Sequence, residues 1–105
     1  MYKISDTNIN FYFESGFSEI DEFEMPLKGH RNDIIVNCPN NKSYKLTFYD
    51  TVRLSQDIEE EVIIIEEALI VVKEVNLENI KLAIKKMWKI NFFDTLKPVV
   101  TSLPT

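Results

Sequence analysis

Few residue types in this chain can do chemistry, and most of them are carboxylates. Asp57, Glu59, Glu60 and Glu61 form a dense acidic run, with Glu66 and Glu67 close behind. Grouped carboxylates bind hard cations through oxygen. A calcium loop of the EF-hand type, however, alternates its ligands around a central glycine, and this run has none. Paired carboxylates also serve glycoside hydrolysis, but only across a cleft that holds the sugar between them. Without a cleft, the run is a solvated surface or a docking patch for a basic protein. Asp57, Glu59, Glu60 and Glu61 are therefore candidate partner-binding residues, and no metal site is assigned.

His30 is the single histidine and Cys38 the single cysteine, with Asp33 between them. A Cys–His nucleophile needs thiol and imidazole in hydrogen-bond contact and an acid to orient the ring, and closeness along the chain does not supply that geometry. Lys28-Gly29-His30-Arg31 is expected in an exposed loop. Cys38, before Pro39 at a strand end, is expected to be a small buried apolar side chain. One cysteine and one histidine do not make a zinc site. Two glycines are too few for a phosphate cradle, and neither a nucleophile elbow nor a dinucleotide fingerprint is present. No catalytic residue and no cofactor is assigned.

The elements that must carry these residues follow from periodicity. Ile9, Phe11 and Phe13 alternate with more polar neighbours, as a half-buried strand does, and Ser15-Gly16 offers a turn. Ile20 to Met25 is expected as an edge strand protected by Asp21, Glu22 and Glu24. Pro26 to Asn32 is expected as a loop. Ile34–Cys38, the turn Pro39-Asn40-Asn41-Lys42, and Tyr44, Leu46 and Phe48 form a hairpin, since proline presets a turn and asparagine tolerates the left-handed region. Asp50 caps a short helix from Thr51, with Val52, Leu54 and Ile58 as its apolar content. Val62–Ile65 and Leu69–Val72 are β-branched runs with little alternation, which marks strands buried on both faces.

Asn76 then caps a helix over about 77–90, with Leu77, Ile80, Ala83, Ile84, Met87 and Trp88 on one stripe. Lys85, Lys86 and Lys89 fall elsewhere, towards the C-terminal end where cations suit the helix dipole. Leu82 stands alone among Glu78, Lys85 and Lys89. Lysine stems or the tail would ordinarily cover it. The functional alternative, an interface contact, makes it a fifth candidate partner-binding residue. The tail 92–105, with Pro98 and Pro104, is expected to be irregular.

The expected fold class is α+β: a mostly antiparallel sheet of four to six strands with one long C-terminal amphipathic helix packed on one face. All 105 residues fit one domain, sheet-rich over 1–75. A lone cysteine excludes a disulfide scaffold. Met1 to Asp6 carry no apolar signal core, and the longest apolar run, Ala68 to Val72, falls far short of the ~20 residues of a membrane span, so a cytoplasmic protein is expected. Net charge is −5, unevenly spread: residues 1–76 carry 7 Lys/Arg and 15 Asp/Glu, a net −8, whereas 77–105 carry 5 and 2, a net +3. The body repels nucleic acid phosphates, so no nucleic acid partner is expected, although Phe11, Tyr12 and Phe13 resemble a stacking platform.

In size, acidity and strands-then-helix order, the chain resembles small bacterial immunity proteins that neutralise a cognate toxin. The residues that carry this are Asp57 to Glu61, the hairpin 34–49 and the helix opened by Asn76. The resemblance implies a non-enzymatic binding module whose acidic surface meets a basic toxin domain; it assigns no individual residue. Two alternatives remain. One is a small ligand-binding protein or enzyme, with a pocket between helix and sheet and Tyr12, Tyr44 or Tyr49 among its polar groups. The other is a homodimeric structural subunit, because runs 62–65 and 69–72 look more apolar than one helix can cover.

Overall fold

The computed structural model describes residues 1–99. They form β1 (Tyr2–Lys3), β2 (Asn10–Phe13), α1 (Glu19–Lys28), β3 (His30–Asn37), β4 (Ser43–Tyr49), α2 (Thr51–Glu61), β5 (Leu69–Val71), α3 (Leu77–Lys89) and a 3-10 turn at Phe92–Thr95. The five strands make one sheet in chain order. The fold is α+β, but the expectation of a mostly antiparallel sheet is corrected: the sheet is mixed. β1 to β4 pair antiparallel, and β5 joins β4 in parallel, with Thr47, Phe48 and Tyr49 opposite Leu69, Ile70 and Val71. The cause is α2. Parallel neighbours need a crossover connection, and a helix between two strands supplies one.

Residues 1–75, expected to be sheet-rich, therefore hold two helices. Ile20–Met25 is not an edge strand; it lies inside α1. Local capping decided this. Ser18 Oγ accepts from the Asp21 backbone N–H at 3.2 Å, while Asp21 Oδ2 accepts from the Ser18 N–H at 2.9 Å, which satisfies two otherwise orphaned groups at the helix start. Pro26 sits within the helix, and Gly29 ends it in the left-handed region at φ 66°. A side chain at Gly29 would also collide, because its Cβ would stand 2.5 Å from Asp50 Oδ2. The expected loop 26–32 is thus helix end, a glycine stop and the start of β3, and His30 lies in that strand.

Three other elements match their sequence signals. Asn41 takes φ 62° in the hairpin turn, and the Cys38 N–H donates to the Lys42 carbonyl at 2.9 Å. Asp50 Oδ1 accepts from the Arg53 N–H at 2.7 Å, starting α2. Asn76 Oδ1 accepts from the Asn79 N–H at 2.8 Å, starting α3. α3 stops at Lys89 and is only 13 residues, so the long helix is corrected to a short one. The start of the tail is not irregular: Phe92–Thr95 forms the 3-10 turn and buries Phe93. Residues 100–105 of the expected irregular tail lie outside the described residues.

Val62–Ile65 is the largest correction. No strand forms there. Val62 adopts φ 70° as α2 ends, and Ala68 adopts φ 51° as β5 begins, so a connection spans the interval. Nor is Leu69–Val72 buried on both faces: β5 has three residues, half-buried or exposed, at the sheet edge. A short edge strand limits pairing with other chains.

The core lies between the sheet and α3. Phe11, Ile34, Val36, Leu46 and Phe48 from β2 to β4 meet Ile80 and Ile84 from α3, each with no exposed surface, and Val75 joins them. Burying a side chain of this size gains roughly 1.5–3 kcal/mol each. Met25 is the one buried residue of α1, so α1 touches the rim of this core. The opposite sheet face is polar where β2, β3 and β4 meet near the hairpin. Asn37 Nδ2 donates to Asn10 Oδ1 at 2.8 Å, and Ser43 Oγ donates to Asn37 Oδ1 at 2.7 Å. Tyr12 and Lys45 flank Ile35 in register, and Lys45 pairs with Glu14 at 3.4 Å. Ile35, Thr47 and Tyr49 are buried on the same face, Tyr49 beneath the connection that follows α2.

Candidate functional site

The acidic run divides when it folds. α2 begins against the end of α1: Arg53 Nη1 donates to the Lys28 carbonyl at 3.0 Å, and its Nε donates to Asp57 Oδ1 at 2.9 Å. Asp57, one turn along the helix, is therefore half-buried and neutralised by Arg53. Glu59, Glu60 and Glu61 are exposed. The chain then bends at Val62 and returns past the end of β4. An open depression of about 390 Å³ results, lined by Tyr49, Asp57, Glu61, Ile63, Ile64, Ile65 and Glu66.

Tyr49 forms its buried wall, only 4% exposed. Its hydroxyl donates to Glu66 Oε1 at 3.4 Å. Burial, with Glu66 and Asp57 beside it, pushes the phenol up to about 12, so Tyr49 stays neutral and acts as a donor. His30 packs against Tyr49 with ring centroids 4.4 Å apart. Burial holds the imidazole below its ordinary 6.5, a shift that Glu66 opposes, Arg53 reinforces and Asp57 opposes. Its Nε2 is buried without a hydrogen-bond partner among the described residues.

The rim is apolar. Val62, Ile63 and Ile65 are 83%, 63% and 83% exposed, the same residues expected to be core strand. Of the candidate residues, then, the fold brings together Asp57 and Glu61 and leaves Glu59 and Glu60 off the depression. Leu82 belongs elsewhere. It is 59% exposed on α3 and lines a separate depression with Lys85, Lys86, Lys89 and Ile90. Sequence reasoning missed Tyr49, Ile63, Ile65 and Glu66 as members of one surface. A usable signal was present: carboxylates flank the run on both sides, as they would a solvated segment, and an 11-residue helix from Asp50 consumes the chain up to it.

The Cys–His constellation does not assemble. His30 starts β3 and Cys38 follows its end, which separates them by roughly 25 Å of extended chain. Burial raises the Cys38 thiol to about 11, which makes it a poor nucleophile. Asp33 is occupied too: it accepts from Arg31 Nε, from Arg31 Nη2 at 3.1 Å and from the Ser15 N–H at 2.8 Å. Burial pushes its carboxyl up, but the bonds from Arg31 and Ser15 outweigh that and hold it below 3.8. Arg31 also lies 4.7 Å from the Phe13 ring centroid, so the pair locks β3 to the aromatic cluster of Tyr2, Phe11, Phe13 and Phe17.

No cluster of three or more His, Cys, Asp or Glu poised for a metal occurs among the described residues, and no described helix is long and apolar enough to cross a membrane. Comparison with protein-family models, with curated proteins and with solved structures finds no match to this chain.

Proposed function

We propose that this domain is a non-enzymatic protein-binding module whose docking surface is the depression between Tyr49, α2 and the connection to β5. The observation that carries the reading is the exposure of Val62, Ile63 and Ile65 beside Glu61 and Glu66. A folded chain rarely leaves neighbouring β-branched side chains in water without an interaction to bury them. The chemistry of the partner follows from the lining. Two carboxylates, a neutral phenol and an apolar rim accept a lysine or arginine side chain whose stem lies on isoleucine and whose cation meets Glu61 and Glu66. Asp57 contributes less, since Arg53 already holds it. A basic toxin domain, neutralised as small bacterial immunity proteins neutralise theirs, is the partner class that the acidic surface and layout favour. The depression is open on one side, whereas sites for small ligands enclose most of the molecule they hold.

The test is affinity capture from the native cell extract with three baits: the wild-type chain, Ile63→Asp/Ile65→Asp, and Glu61→Lys/Glu66→Lys. The expected result is a basic protein retained by the wild type and reduced roughly tenfold or more by either double variant, as hot-spot losses are. Equal retention by all three would remove this surface from the proposal.

A further inference from the structure

Two other faces of the molecule are apolar and open, and they carry opposite charge. α1 turns Ile20, Phe23 and Leu27 outward, 67%, 74% and 74% exposed. At 100° per residue these three fall within an arc of about 60°, so they form one stripe along the helix. Glu19 and Glu24 border that stripe on either side, and α1 as a whole has four carboxylates against Lys28 alone. The only inward anchor of α1 is Met25, so packing against the core does not account for the apolar residues of its outer face. α3 presents the counterpart. Leu82 and Ile90 floor an open depression of about 470 Å³ walled by Lys85, Lys86 and Lys89. Lys85 is held by Ser5 and Asp6 at 3.3 and 3.5 Å, whereas Lys86 and Lys89 make no ion pair among the described residues.

We infer that the α1 stripe of one copy of this chain docks into the α3 depression of a second copy. The stripe offers three large apolar side chains bordered by carboxylates. The depression offers apolar floor bordered by ammonium groups, so burial and charge favour the same pairing. The contact is heterologous, because two different surfaces meet. It also uses neither Tyr49 nor the 62–67 connection, so it is independent of the docking surface proposed above. One helix face buries well under the ~800 Å² per partner of a stable interface, so the association is weak, in the micromolar range or above.

Sedimentation of the full chain over a concentration series tests this. The wild type is expected to rise above monomer mass as concentration increases, and to fall back as salt screens the pairing. Glu19→Lys/Glu24→Lys and Lys86→Glu/Lys89→Glu are each expected to remain monomeric, with association weakened by roughly a hundredfold or more. Glu19, Lys86 and Lys89 are exposed and Glu24 is half-buried, paired with Lys28 at 3.3 Å, so far-ultraviolet circular dichroism checks that both variants fold. Mixing the two is the decisive arm. The first retains an intact α3 and the second an intact α1, so each α1–α3 contact must form between unlike chains. An equimolar mixture is expected to regain assembly, because the native α3 of the first meets the native α1 of the second, and their reversed faces, lysine on α1 and glutamate on α3, match as well. A wild type that stays monomeric throughout overturns the inference, and retention of that monomer on anionic vesicles would reassign the α3 face to a lipid surface. Wild-type assembly that either double variant preserves also overturns it, as does a mixture that stays monomeric while the wild type assembles.

Discussion

Two β-branched runs in this chain look alike and fold differently. Ile34-Ile35-Val36 lies in the middle of the sheet, every side chain buried. Val62-Ile63-Ile64-Ile65 is more apolar still, yet three of its four side chains stand mostly in water. The difference is one of neighbours. β3 has a strand on each side, β2 and β4, and α3 above it. The second run follows a helix that ends at a left-handed residue, and the ladder position beside β4 is taken by Leu69–Val71. Apolar character makes burial favourable, but a hydrogen-bonded place in the sheet must also be free. Where it is not, the run becomes a surface, and here it borders a depression that gathers carboxylates and a tyrosine.

Substitution separates the two runs most sharply. Ile34→Ala is expected to cost about 4 kcal/mol in urea unfolding, since it empties a site with no exposed surface. Ile63→Ala is expected to change stability by no more than about 0.5 kcal/mol. Near-equal losses at the two positions would show that the connection is packed rather than exposed. Next in size is the clamp that locks β3 to the aromatic cluster. Asp33→Ala is expected to cost about 3 kcal/mol, because it leaves the Arg31 guanidinium without its carboxylate. A loss that Arg31→Met fails to reduce in the double variant would show the pair to be uncoupled.

The joint between the regions is Gly29, which ends α1, starts β3 and approaches the cap of α2. Gly29→Ala is expected to cost about 2 kcal/mol, combining left-handed strain with the clash on Asp50. An unchanged melting temperature would show that Asp50 can move aside without loosening α2.

The contact between His30 and Tyr49 is read out in pH. The folded state holds the His30 imidazole below its ordinary 6.5. Between the folded and unfolded values the unfolded chain binds the extra proton, so stability is full above 6.5 and declines as pH falls below it. His30→Gln is expected to flatten that decline. At the alkaline end, the Tyr49 phenol, raised from 10 to about 12, contributes stability that is lost as pH climbs through that window, and Tyr49→Phe should remove the loss. Parallel wild-type and variant curves in either window would show that the His30–Tyr49 contact carries no titration.

Local chemistry was legible where it was self-contained. The turn at Pro39–Lys42, the caps at Asp50 and Asn76 and the stripe Ile80, Ile84, Met87 each depend on residues within a few positions of one another, so spacing alone revealed them. α1 was misread because the acidic residues of Ile20–Met25 also suit an edge strand, and Pro26 argues against a helix; the reciprocal Ser18–Asp21 bonds outweigh both. Of the five candidate partner residues, only Asp57 and Glu61 share the depression. Which carboxylates converge depends on where Val62 bends the chain, and no spacing rule encodes that bend.

The sequence by itself determined an α+β domain: its central hairpin, two of its three helix starts, the aromatic and β-branched stock of its core, and an acidic body joined to a basic end. Those properties rest on short-range hydrogen bonding and on periodicity, both of which act within one element. Only the tertiary structure decided that β5 runs parallel to β4, that Val62–Ile65 stays outside the sheet, and that α1 and α3 leave open apolar faces of opposite charge. Each of these is a competition for a limited number of places beside β4 and over the core, and its outcome depends on residues distant in the chain.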